Sequence, residues 1–141
     1  MHRPLPQPTP ETQPFWDGAR EGALRLPRCL ACGRLHFYPR AFCPHCGSRS
    51  LDWQAVSGRG TIYTFTVNHR PAAEAFASMV PYAVAVVTLA EGPRMMGRVV
   101  DSPIANVRIG AAVAARFEPV AEGLVLVNFA LETDEHSDVS A

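Results

Sequence analysis

The sequence predicts a mainly β protein: a short N-terminal helical segment, a four-cysteine metal ribbon, then a small closed barrel of five strands. Three observations carry that reading. All four cysteines of the 141-residue chain fall into two Cys-x-x-Cys pairs, "CLAC" and "CPHC", separated by ten residues. The stretch after them runs as short alternating or continuously apolar segments parted by glycine and proline, with no amphipathic helix of useful length between them. Hydrophobic residues make up 48% of the chain, enough for one core of ordinary size plus a small appendage.

Taken in order, residues 1–13 hold four of the 13 prolines and little that is apolar, so they are expected to form a disordered arm. Residues 14–28 are expected to be helical, with Thr12 as N-cap and Pro14 in the first turn. Phe15, Trp16, Ala19, Ala23, Leu24 and Leu26 form the apolar stripe of this segment, while Gly18 and Gly22 weaken it. Phe15 and Trp16 suit either core packing or the docking of a partner, where tryptophan is enriched. Residues 29–50 form the ribbon and residues 51–131 the barrel.

In "GTIYTFTVNH", Tyr63, Phe65 and Val67 face one way and Ile62, Thr64 and Thr66 the other, the pattern of a half-covered strand. "YAVAVVTL" (82–89) is apolar throughout and suits a central strand; "RMMGRVV" (94–100), "AAVAARFEPV" (111–120) and "LVLVNFAL" (124–131) follow. Five short strands with glycine-marked ends point to the OB-fold, the five-stranded member of the small barrels. The acidic tail "ETDEHSDVSA" (132–141) is expected to be disordered.

The ribbon carries the clearest chemistry. A Cys-x-x-Cys turn presents two thiolates to one ion, and two such turns complete a tetrahedron for Zn2+, with Cys29, Cys32, Cys43 and Cys46 as ligands. Gly33 and Gly47 after each pair let the turns close with amides aimed at sulfur, and Pro44 pre-sets the second turn. A catalytic zinc keeps one position open for water, whereas four cysteines fill all four, so the ion is expected to be structural. His36 and His45 would ligate only by displacing a cysteine. Iron held by a rubredoxin-type site is the other reading, but the knuckles of rubredoxin lie farther apart and no flavin, haem or nicotinamide motif accompanies these. Reduced cysteines at ligand spacing point to the cytoplasm.

Charge and motif content narrow the function. The 13 basic residues, all arginine, balance 13 acidic ones, so the clustered basic excess that binds a polyanion is missing and nucleic acid is disfavoured. No segment reaches the roughly 18 apolar residues of a membrane span, and the proline-broken N-terminus lacks the apolar core of a secretory signal. No nucleophile–base pair, paired carboxylates or phosphate loop stands out. Within "RLHFYPR", Leu35, Phe37 and Tyr38 beside Arg34 and Arg40 suit either a cover for the ribbon or a surface for a base.

The blocks "PFWDGAREGALRLPRCLACGRLHFYPRAFCPHCG", "WQAVSGRGTIYTFTVNHRP", "PYAVAVVTLAEGPRMMGRVV" and "VRIGAAVAARFEP" resemble, over residues 14–130, the family catalogued as domain of unknown function 35. The resemblance implies an OB-fold preceded by a rubredoxin-like zinc ribbon and a helical segment. It also implies an accessory subunit of a thiolase-like catalytic chain, or of a related aldolase or hydratase, acting on acyl-CoA in a heterotetramer around a dimeric partner. The partner would carry the catalytic cysteine and histidine, and none in this chain would be catalytic. Phe15, Trp16, Phe37 and Tyr38 are then the candidates for partner docking. Because the phosphates of CoA call for guanidinium groups, Arg40, Arg59, Arg70, Arg94 and Arg98, with His69, are the candidates for binding it.

Overall fold

The computed structural model describes residues 5–71 and 74–132. Its elements are α1 (Gln13–Arg20), β1 (Leu24–Cys29), β2 (Leu51–Val56), β3 (Arg59–Asn68), β4 (Tyr82–Leu89), β5 (Arg94–Val99), β6 (Ala112–Ala121) and β7 (Leu124–Leu131).

Only the first half of the expected helical segment is a helix. Gly22 adopts φ 77° just past the C-terminus of α1, and the Ala23 N–H closes back on the Gly18 carbonyl at 2.8 Å. Leu24–Cys29 then runs as a strand, antiparallel to β2 from Leu24 opposite Val56 to Cys29 opposite Leu51. Leu24 and Leu26 are buried, as the apolar pattern requires, but on a strand whose partner lies far along the chain. The first six residues assigned to the barrel, Leu51–Val56, therefore belong to this two-stranded sheet instead.

The end of the expected disordered arm is also built into the fold. Thr12 marks the start of α1, but its hydroxyl turns back to that of Thr9 at 3.0 Å rather than forward onto the helix. The Thr9 carbonyl accepts from the N–H groups of Thr12 and Gln13, and Thr12 is buried. Residues 1–4 of the arm and 133–141 of the acidic tail lie outside the described residues.

β3 to β7 close into a barrel in the order β3-β4-β5-β7-β6. All neighbours are antiparallel except β5 and β7, which meet in parallel at Val99 opposite Phe129. β6 returns to β3 through Arg59 opposite Ala114 and Thr61 opposite Ala112. Closure leaves the barrel itself no open edge among the described residues, the usual liability of a small β protein. β4 pairs on both sides and contributes Ala83, Ala85, Val87 and Leu89 to the interior.

One strand departs from the expected alternation. The register of β3 against β4 shifts between Ile62 and Thr64, a bulge that inserts Tyr63 as an extra residue. Parity flips across it, so Ile62 is buried, Tyr63 is exposed, and Phe65 and Val67 pack against the interior. Tyr63 thus stands outside the barrel, against the sequence pattern.

The core is continuous across the parts. Phe15, Trp16, Leu24 and Leu26 join Ile62, Val87, Leu89, Val113 and Phe129 in one buried cluster, with Leu35, Phe37 and Trp53 packed at its margin. The centre is tight: a Cβ on Gly97 would lie 2.8 Å from the Phe129 ring, so only glycine lets β5 pass so close.

Candidate metal centre and the ribbon–barrel seam

Strands β1 and β2 hold the two ends of the ribbon together, and the intervening loop folds its two knuckles against each other. In the first, the Gly33 N–H reaches the Cys29 carbonyl at 2.8 Å; in the second, the Gly47 N–H reaches the Cys43 carbonyl at 2.9 Å. Both glycines sit at positive φ, 79° and 82°, where a side chain is strained. The Cys32 N–H points at the Cys29 sulfur at 3.4 Å, and the His45 N–H at the Cys43 sulfur at 3.3 Å.

The four sulfurs converge, all lying within 4.8 Å of one another. Cys29 and Cys46 Sγ are 3.6 Å apart, and Cys32 and Cys43 Sγ 3.7 Å. These are edges of a tetrahedron: a metal–sulfur bond of about 2.3 Å places its sulfurs about 3.8 Å apart. They are far too long for a disulfide bond of about 2.05 Å. Proton affinities fit the same demand. The Cys32 N–H, foremost, draws the Cys29 thiol down to about 6. Cys46 is pushed up to about 11: its hydrogen bond with the Ser48 backbone lowers it, but the Cys29 thiol, burial and the other two sulfurs together outweigh that. The surroundings thus favour the thiolate at Cys29 and disfavour it at Cys46, where a cation would supply the compensating charge. The cluster is a metal-binding site.

The remaining candidates separate. Phe15 and Trp16 are buried, 5% and 9% exposed, so they serve the core rather than an open docking surface. Phe37 is half-buried against Phe15, ring centroids 5.7 Å apart, and only Tyr38 is largely exposed. Arg59 pairs with Glu132 at 3.3 Å, and Arg98 with Glu118 at 3.2 Å. His69 and Arg70 lie exposed beyond the end of β3. Arg40 and Arg94, 54 positions apart in the sequence, line one cavity of about 350 Å3 between the ribbon loop and the β4–β5 turn. The Arg94 guanidinium lies 3.8 Å over the Tyr63 ring, a contact that depends on the bulge turning Tyr63 outward.

Two polar side chains are buried where the sequence pattern does not place them. His36 is 3% exposed with neither ring nitrogen hydrogen-bonded among the described residues. Burial, and next the nearby charges of His45 and Arg40, hold its pKa below the ordinary value. Asn128, at a strand position that reads as simply apolar, is buried and donates to Glu118 at 2.7 Å.

Comparison with known proteins fits this geometry. The family model described as the ChsH2 rubredoxin-like zinc ribbon domain matches residues 16–52, and that of the ChsH2 C-terminal OB-fold domain matches residues 53–118. A DUF35 domain-containing scaffold protein of Methanocaldococcus jannaschii is 37% identical over 97 residues, 67% of each chain. The chain belongs to the DUF35 family. Its similarity extends to a probable enoyl-CoA hydratase alpha subunit of Thermomonospora curvata, 35% identical over 111 residues. That match takes 79% of this DUF35 chain and 34% of the relative, so the chain spans about a third of that protein. Among solved structures, one described as Ltp2-ChsH2(DUF35) aldolase superposes with a TM-score of 0.80 and 31% identity, covering 90% of this chain and 98% of that one. Among the described residues no helix is long and apolar enough to cross a membrane.

Proposed function

We propose that this DUF35 chain is a non-catalytic accessory subunit of an enzyme acting on acyl-CoA thioesters, that its catalytic partner is a thiolase-superfamily chain, and that its ribbon holds zinc. The observation that carries the reading is the near-complete superposition on a DUF35 chain whose described assembly is an aldolase. The hydratase alpha-subunit relative supports the same class of substrate with a different partner reaction. Zinc is supported by a closed set of four sulfurs at tetrahedral-edge distances, which leaves no position for substrate.

In this reading the metal fixes the ribbon, the ribbon and α1 brace the barrel, and the exposed Tyr38 loop offers contact to the partner. Purification of tagged full-length chain from its native host tests it. The expected result is a stoichiometric catalytic chain that turns over acyl-CoA only in the complex. Recovery of the chain alone, or turnover by the isolated chain, overturns it. Elemental analysis is expected to give one zinc per chain and a colourless protein; a coloured iron centre overturns the metal assignment.

A further inference from the structure

Strand β4 is apolar on both of its faces. Ala83, Ala85, Val87 and Leu89 fill the barrel, while Val84 and Val86 alternate with them and point outward. A strand covered on one face alternates apolar and polar residues; a run apolar throughout is the pattern of a strand covered on both. The cover available within the chain goes elsewhere: α1 lies against β6 and β7, across the barrel from β4. Val84 and Val86 stay only half-buried.

Register extends this outer face over three strands. Val86 stands between Thr64 of β3 and Met96 of β5, and Val84 between Thr66 and Arg98. The β3 bulge adds Tyr63 to the same side. Tyr63 at 51% exposed and Met96 at 64% are the large apolar side chains most open to solvent on any strand among the described residues. Arg94 closes one end of the face, its guanidinium over the Tyr63 ring and its Nε donating to the Thr88 hydroxyl at 3.3 Å. β3, β4 and β5 hold no carboxylate, and of their three arginines Arg59 and Arg98 pair with Glu132 and Glu118 on other strands or beyond them. Arg94 has no carboxylate partner among the described residues.

We propose that the outer face of β3, β4 and β5 is a protein-docking surface centred on Tyr63, Val86 and Met96, and that it fits a partner surface with an apolar centre and carboxylates at its rim. The inference rests on the accessory role for the existence of a partner, and adds which face that partner covers and what chemistry it presents. Tyrosine, methionine and arginine are the side chains that interface centres concentrate. An arginine already held by a ring and a hydroxyl loses little further freedom when a carboxylate reaches its terminal nitrogens. A second copy is the wrong occupant, since a two-fold contact brings two acid-free faces, each with its own Arg94, into one dehydrated interface. Single-stranded nucleic acid is disfavoured because it needs open ring faces and a basic track. Here one face of the Tyr63 ring is taken by Arg94, and the other two arginines are neutralised.

Hydroxyl-radical footprinting of the full-length, metal-loaded chain tests this, alone and in the complex purified from its native host. Alone, the exposed Tyr63, Met96 and Ile109 should all be labelled. In the complex Tyr63 and Met96 should lose most of their labelling, while Ile109, between β5 and β6, keeps it. Binding of variant chains to the purified catalytic chain supplies a second measure. Met96→Glu should weaken it roughly tenfold or more, the scale of a hot-spot side chain, and Ile109→Glu should leave it within about twofold. Thr64→Glu and Thr64→Arg place opposite charges at one exposed position; the glutamate variant should bind less tightly, and high salt should narrow the gap. Metal content and thermal melting establish that each variant is folded. Full labelling of Tyr63 and Met96 in the complex, equal binding by the Met96 and Ile109 variants, or Thr64→Glu binding as well as Thr64→Arg overturns the proposal. Protection of the face in the isolated chain at rising concentration, or by a single-stranded oligonucleotide, assigns it to a second copy or to nucleic acid and overturns it as well. The two readings fail separately. A stoichiometric acyl-CoA enzyme that leaves Met96 labelled removes this face alone, and a partner that covers Met96 without turning over acyl-CoA removes the accessory role in such an enzyme alone. Recovery of the chain without any partner removes both.

Discussion

The ribbon and the barrel are ordered by different physics. Between Cys29 and Gly47 the chain has few buried residues, and Leu30, Tyr38 and Phe42 stand exposed. What shapes it is four sulfurs and the amide turns around them. The barrel has no such centre; it is shaped by inward side chains stacked around Phe129. One region exchanges thiol protons for a metal ion, the other exchanges apolar surface for packing. They therefore respond to opposite perturbations, although a shared cluster joins them through Phe15, Leu26 and Phe37.

The largest expected effect falls on the ribbon. Chelation, or Cys32→Ser or Cys46→Ser, removes a binding free energy of roughly 10–16 kcal/mol in comparable zinc modules, which is also folding free energy. Hydrogen exchange should show residues 29–50 losing protection while β3 to β7 keep theirs. Equal loss in the barrel breaks the distinction.

Next comes Phe129→Ala, which should cost about 3–5 kcal/mol in denaturant unfolding and leave metal content unchanged below the transition. Gly97→Ala acts on the same ring from the opposite direction. Its added methyl overpacks the core and should cost about 1–3 kcal/mol.

A smaller effect sits at the boundary between the two regions. The folded chain holds His36 below its ordinary value of 6.5, so the unfolded chain takes the proton more readily. The corresponding stability is fully present above the unfolded value and is lost as pH falls from there through the folded one. His36→Phe should flatten that slope, seen as a smaller difference between melting temperatures at pH 7.5 and pH 5.5 (roughly the window about the histidine value). An unchanged slope means the imidazole is solvated. Tyr38→Ala, finally, should shift stability by no more than about 0.5 kcal/mol, as for an exposed side chain, while weakening the partner complex.

Much of this was legible in the residues. β4 and β7 fall where "YAVAVVTL" and "LVLVNFAL" place them, because short, largely apolar, valine-rich runs bounded by glycine or proline suit buried strands and are too short for helices. The convergence of the four cysteines was legible too, since a short loop of fixed spacing needs no distant partner to define it. Leu24–Cys29 was not, because its strand identity comes from pairing with Leu51–Val56 rather than from its own pattern. The outward turn of Tyr63 was hidden as well, since a bulge is a property of two strands.

By itself the sequence determined the four-cysteine cluster and the five-strand barrel, because each depends on local spacing or composition. Only the tertiary structure decided which aromatics are spent on the core and which arginines are already paired. It alone brought Arg40 and Arg94 to one cavity. Charge and exposure are properties of neighbours in space, and residues 54 positions apart become neighbours only when the ribbon folds back onto the barrel.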